Sequence, residues 1–106
     1  MSTADLDALR ARYLHLTREV LPAQAAEAGD WPVRYDHCFM RIVLDHVFGG
    51  RWYDHVEARP ACRHLTGEQL RRAVDLAEEI AAEGAPLLRT MNQRSLAWRG
   101  KSQLRA

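Results

Sequence analysis

Apolar residues fall at helical spacing almost from the start of this chain. Leu6, Leu9, Tyr13, Leu16 and Val20 step by three and four positions, the interval that keeps side chains on one face of an α-helix. Ser2 or Thr3 can cap the N-terminus by accepting a hydrogen bond from a free backbone amide. Pro22 is expected to end this helix or kink it. The Ala-rich AQAAEA after it still favours helix, up to Gly29-Asp30. Pro32 biases Trp31 toward extended backbone, which marks a connector. A second helix is expected over about Arg34 to Phe48. Tyr35, Phe39, Ile42 and His46 form one apolar row on it, and Met40, Leu44 and Val47 form another. A helix that is apolar on most sides belongs at the centre of a bundle.

Gly49-Gly50 breaks that helix, and RWYDHVE after it suits a short helical turn. Thr66 with Gln69 three positions later has the spacing of a capping box. It opens a third helix, whose buried stripe is expected to be Leu70, Ala73, Val74, Ala77, Ile80 and Ala81. Gly84 ends it, and Pro86 suits the first turn of a fourth. There Leu87, Leu88, Met91 and Trp98 are expected to face inward, up to Gly100. No stretch alternates apolar and polar residues as a strand does, and no fold-sized unit repeats. The expected fold is therefore all-α, a compact four- or five-helix bundle. It would form a single domain over residues 1–100, with a frayed basic tail at 101–106.

Composition narrows the class without naming a function. A chain of 106 residues supports one core. Apolar residues make up 47% and charged residues 27%, which suits a folded protein and excludes a disordered one. The run from Cys38 to Phe48 is too short and too charged to span a bilayer, and the N-terminal residues carry acids without an apolar secretory core. A cytoplasmic location with reduced Cys38 and Cys62 is the expectation. The net charge of +1 hides an uneven layout. Residues 65–86 carry two Arg against five acids, whereas 87–106 carry Arg89, Arg94, Arg99, Lys101 and Arg105 against none. A basic tail of this kind points to an anionic partner such as nucleic acid. Arginines five apart nevertheless fan around a helix, and some are expected to pair with Glu78, Glu79 or Glu83.

The most suggestive chemistry is a recurring Asp-His pair: Asp36-His37, Asp45-His46 and Asp54-His55. Nine residues is two and a half helical turns, so His37 and His46 point to opposite sides and cannot share a metal. Ligand pairs on one helix need a spacing of three or four, which no two of the five histidines have. A zinc set from His37, Cys38, Cys62 and His64 matches no usual framework, and no metal or cofactor is expected. His46 lies in an apolar row and reads first as a core histidine whose nitrogens are satisfied locally. Asp45 and Arg41 stand at i,i+4 and can form an ion pair. Neither cysteine nor Ser95 lies in a nucleophile motif. FGGRW is neither a Walker loop nor a dinucleotide loop.

DHCFMRIVLDHVFGGRWYDHV, with RPACRHLTGEQLRRAVDLAEEI and MNQRSLAWRGK downstream, resembles a group of short bacterial proteins of uncharacterised function. Some of these carry a GNAT-type N-acetyltransferase label. That label implies a mixed α/β fold with a pyrophosphate-binding loop between a strand and a helix. The nearest glycines here, Gly49-Gly50, follow a helix.

Two stretches concentrate residues that make binding sites. The expected binding surface comprises Arg51, Trp52, His55, Arg63, His64, Arg94, Trp98 and Lys101, with arginines and lysine for anions and tryptophans for stacking. The expected function is a binding or accessory module with a protein or nucleic-acid partner, and homo-oligomerisation is compatible with it. The alternative is a small enzyme using Asp45-His46 or Asp54-His55 as an acid/base pair.

Overall fold

The computed structural model describes residues 2–101. Its first helix, α1 (Thr3–His15), starts at Ser2, whose hydroxyl accepts from the Asp5 amide while the Asp5 carboxylate receives the Ser2 amide. Pro22 neither ends nor breaks the helical path. Residues Leu16–Val20 form a π segment that runs directly into α2 (Leu21–Ala28). The Leu21 amide bonds back to the Leu16 carbonyl, one residue further than in an α-helix. Pro22 has no amide to offer and its ring would meet the carbonyl four residues earlier. A widened turn just before it absorbs both problems. The chain is thus helical without a break from Thr3 to Ala28, and it stops at Gly29, which is in the left-handed region with φ 77°.

Helix α3 (Asp36–Phe48) begins two residues later than the apolar pattern suggests, because Tyr35 is its extended N-cap. Tyr35 is therefore not in the buried row: it is 60% exposed and stacks on His37. Phe39, Ile42, Val43 and Leu44 are buried. After Gly49 the chain makes a 3₁₀ turn (Trp52–Asp54) and, beyond a loop, a second one (Ala61–Arg63). Helix α4 (Gly67–Glu83) opens with the Thr66–Gln69 capping box, each side chain bonded to the other residue's amide. Gly84 separates it from α5 (Ala85–Trp98) with φ 74° and ψ −147°, a backbone that suits glycine.

Helix α3 packs on α2, the π segment, α4 and α5, while α4 packs on α1, α2, the π segment, α3 and α5. The centre is shared by two helices, one rich in large side chains and one rich in alanine. Alanines at Ala73 and Ala77, both fully buried, let neighbouring helices approach α4 closely. The thinnest dimension is 19 Å, about two helix diameters, so the bundle has two layers. Among the described residues there is no strand, and the mixed sheet implied by an acetyltransferase fold does not form. Nor is any helix among them long and apolar enough to cross a membrane. Residues 102–106, most of the expected tail, lie outside the described residues.

The capping box at Thr66 is a local contribution and can be tested alone. Thr66→Ala is expected to cost about 1 kcal/mol of stability, read as a lower urea midpoint with an unchanged slope.

Candidate functional site

The side chain that organises one end of the bundle is Asp45, fully buried in the last turn of α3. A buried carboxylate requires donors in place of water, and Asp45 has four. Arg99, just past α5, grips it with both arms of its fork, Nε to Oδ2 at 2.8 Å and Nη2 to Oδ1 at 3.0 Å. The Ser95 hydroxyl donates to Oδ2 at 2.6 Å, and the Trp52 amide donates to Oδ1 at 3.0 Å. This bond to Trp52 fixes the chain where it re-enters after Gly49-Gly50. The Arg99 guanidinium also lies over the Tyr53 ring, 5.0 Å from its centroid.

Arg41 does not pair with Asp45, as their i,i+4 spacing suggests. Its guanidinium reaches α5 instead, donating to Ser95 Oγ at 2.8 Å and to Asn92 Oδ1 at 2.7 Å. Ser95 thus accepts from Arg41 while donating to Asp45. The physical reason is saturation: the Asp45 oxygens are already occupied by four donors. Arg41 is left half-buried with neutral partners and no carboxylate within ion-pair distance among the described residues. Burial lowers its pKa below the usual arginine value, and Arg99 nearby adds to this, while Cys38 and Asp45 oppose it.

Arg41, Trp52, Tyr53 and Arg99 border a cleft of about 690 Å³, within the usual range for small-ligand sites. Tyr13, Leu14, Met40, Leu44, Trp52 and Tyr53 supply most of its apolar wall, and four arginines line it: Arg18, Arg41, Arg59 and Arg99. No aspartate or glutamate among the described residues lines it. Arg59 sits over the Trp52 ring at 5.0 Å, and Trp52 meets Tyr53 edge-on. Tyr13, only 1% exposed, has a buried hydroxyl with no hydrogen-bond partner among the described residues. Burial raises its pKa, with Cys62 adding to the effect.

Of the three Asp-His pairs only Asp36-His37 is in contact, with His37 Nδ1 3.6 Å from Asp36 Oδ1 at the surface. Asp45 is fully engaged elsewhere, and His46 Nδ1 donates to the Ile42 carbonyl at 2.8 Å. The other nitrogen of His46 is buried with no partner among the described residues, contrary to the expectation that both are satisfied locally, and its ring packs edge-on against Trp98. Asp54 accepts from Arg51 at 2.8 Å, whereas His55 stacks on Phe48. Asp36 and His37 are exposed at the start of α3, with the His37 amide donating to Asp36. Cys38 and Cys62 are free thiols, and no group of three or more His, Cys, Asp or Glu side chains among the described residues is arranged to hold a metal ion.

Of the surface expected from sequence, Trp52 lines the cleft, whereas Arg51, His55, Arg63, His64, Arg94, Trp98 and Lys101 do not. Arg63, His64, Arg94 and Lys101 are exposed. Two of the C-terminal arginines find partners other than the acids of α4: Arg89 meets Asp30 and Arg99 meets Asp45, while Glu78 is taken by Arg12. The expected site residues did not include Tyr13, Arg18, Arg41, Tyr53, Arg59 or Arg99, all of which line the cleft. Arg59 at least had a signal, standing in the Arg-rich and aromatic stretch after Gly50. Tyr13 was hidden in the apolar stripe of α1. Comparison of the chain with protein-family models, curated proteins and solved structures finds no match.

Asp45 and its partner can be tested by substitution. Arg99→Met leaves the Asp45 charge buried without its main partner and is expected to cost about 3 kcal/mol. Asp45→Asn is expected to cost less in the Arg99→Met background than in the parent, by about 1 kcal/mol or more, in a denaturation double-mutant cycle. His46 has a folded-state pKa below its ordinary value, chiefly through burial, and nearby Arg94 and Arg72 reinforce this against its bond to Ile42 and the charge of Asp45. The unfolded chain therefore takes up a proton that the folded chain resists. The stability from neutral His46 is complete above about pH 6.5 and is lost as pH falls toward the lower folded-state value. His46→Phe is expected to reduce the fall in urea midpoint between about pH 7 and about pH 5; an unchanged fall would refute it.

Proposed function

We infer that this chain is a binding module whose ligand is a small anion carried on an apolar or aromatic body, seated in the cleft beside Trp52. The observation that carries this reading is the charge layout of the wall. Four guanidiniums line the cleft, and among the described residues no carboxylate lines it and only Arg99 of the four has an acidic partner. Arginines on a protein surface ordinarily find carboxylates or face open water. Here Arg41 is half-buried and held in place by neutral groups, the state of a residue positioned for an anion that arrives from outside. The apolar wall gives the rest of such a ligand somewhere to be buried. Free Cys38 and Cys62 are in keeping with a reducing, cytoplasmic setting.

The test uses anilinonaphthalene sulfonate, a fluorescent amphipathic anion, with the folded protein. Saturable one-to-one binding is expected, weakened about tenfold by Arg41→Gln in protein whose near-ultraviolet circular dichroism is unchanged. Trp52→Leu should weaken it as well. Absence of saturable binding, or binding indifferent to both substitutions, overturns the reading. Displacement of the dye by a single-stranded oligonucleotide at near-physiological salt would also overturn it, in favour of a nucleic-acid interface.

A further inference from the structure

We propose that the cleft is a phosphate monoester site, its ligand an aromatic or apolar group bearing one terminal phosphate. The assignment rests on the cleft being the ligand site and adds the identity of the anion. Charge count is its first support. The charge of Arg99 is balanced by Asp45 at 2.8 Å, whereas Arg18, Arg41 and Arg59 have no carboxylate partner among the described residues. A carboxylate would bring one negative charge to three uncompensated guanidiniums. A phosphate monoester brings between one and two at neutral pH, together with three strong acceptor oxygens. It is the better match in both charge and number of acceptors.

Geometry gives the second support. Arg41 and Arg59 are both held by contacts that fix the guanidinium without neutralising it. Ser95 and Asn92 hold Arg41 by one nitrogen each, and the face of Trp52 holds Arg59. A planar fork fixed in this way has N–H groups left to meet phosphate oxygens two at a time. Independently of the arginines, Tyr13 lines the cleft and its buried hydroxyl has no hydrogen-bond partner among the described residues. A buried hydroxyl without an acceptor is costly, and a phosphate oxygen would satisfy it. The wall also includes Trp52 set edge-on to Tyr53, which suits an aromatic body.

The experiment is isothermal titration of the whole protein with phenyl phosphate, benzoate, phenol and inorganic phosphate. Phenyl phosphate is expected to bind about tenfold more tightly than benzoate, with phenol undetectable and inorganic phosphate weaker than phenyl phosphate. Arg59→Gln and Arg18→Gln, both at exposed positions, should narrow the preference for phosphate over carboxylate. Tyr13→Phe should weaken phenyl phosphate more than it weakens the sulfonate dye. If benzoate binds as well as phenyl phosphate while the dye still binds, the phosphate assignment falls and the cleft remains a general anion site. If inorganic phosphate binds as well as its phenyl ester, the apolar body has no role and the proposal falls in that part. If neither phenyl phosphate nor the dye binds, the cleft reading falls with it.

Discussion

Asp45 is the constraint on which this end of the molecule depends. A carboxylate with no solvent contact is tolerable only if every oxygen is met by donors, and Asp45 meets four. Those donors come from three separate parts of the chain: the 3₁₀ turn after α3, the last turns of α5, and the residue just beyond α5. Each is thereby brought to a defined place on α3. Trp52 is positioned through its amide, Tyr53 is covered by the guanidinium that Asp45 anchors, and Arg41 is aligned through the shared hydroxyl of Ser95. The rest of the bundle is apolar packing of α1 to α5, and four residues that line the cleft, Arg41, Trp52, Tyr53 and Arg99, are placed through this network.

Whether such a buried pair adds net stability is a separate matter from what it positions. Removing charges from water costs several kcal/mol per ion, and an apolar substitute of similar volume often does as well. The Asp45–Arg99 pair is therefore weak evidence of stabilisation and stronger evidence of a geometric requirement. What it specifies is register. Three segments, near Gly50, Ser95 and Arg99, are tied to one point on a central helix. Apolar contacts alone, being non-directional, leave such segments several near-equivalent arrangements.

The helices were readable because their signals are local. Ser2 with Asp5 and Thr66 with Gln69 are capping boxes over three residues. Gly29, Gly49 and Gly84 stop helices within a residue or two of where spacing suggested. At Pro22 the sequence left open whether the helix ends or kinks, because the outcome depends on whether the preceding turn can widen, as it does over Leu16–Val20. The exposure of Tyr35 was hidden in the same way, by a helix that starts two residues late. At the site, the Asp-His pairs drew attention because they are adjacent in sequence. Adjacent residues on a helix point about 100° apart, so Asp45 and His46 serve different neighbours. The partner of Asp45 lies 54 residues away, and no spacing rule reaches it, since the rotation of α5 against α3 determines which arginine arrives.

Commitment of the acids to other partners accounts for the positive charge in the cleft of a chain whose net charge is only +1. Asp45 is saturated, Asp54 holds Arg51, Glu78 holds Arg12 and Asp30 holds Arg89. Arg41 would be the natural partner of Asp45 on an isolated helix, but the fold supplies Arg99 in its place and leaves Arg41 with a hydroxyl and an amide. A half-buried guanidinium with neutral partners keeps most of its field, because neither water nor a counter-charge screens it fully. Its depressed proton affinity is the cost of that isolation, and an anion entering the cleft would relieve it. The charge that the fold leaves uncompensated at Arg41 is the charge available to a ligand.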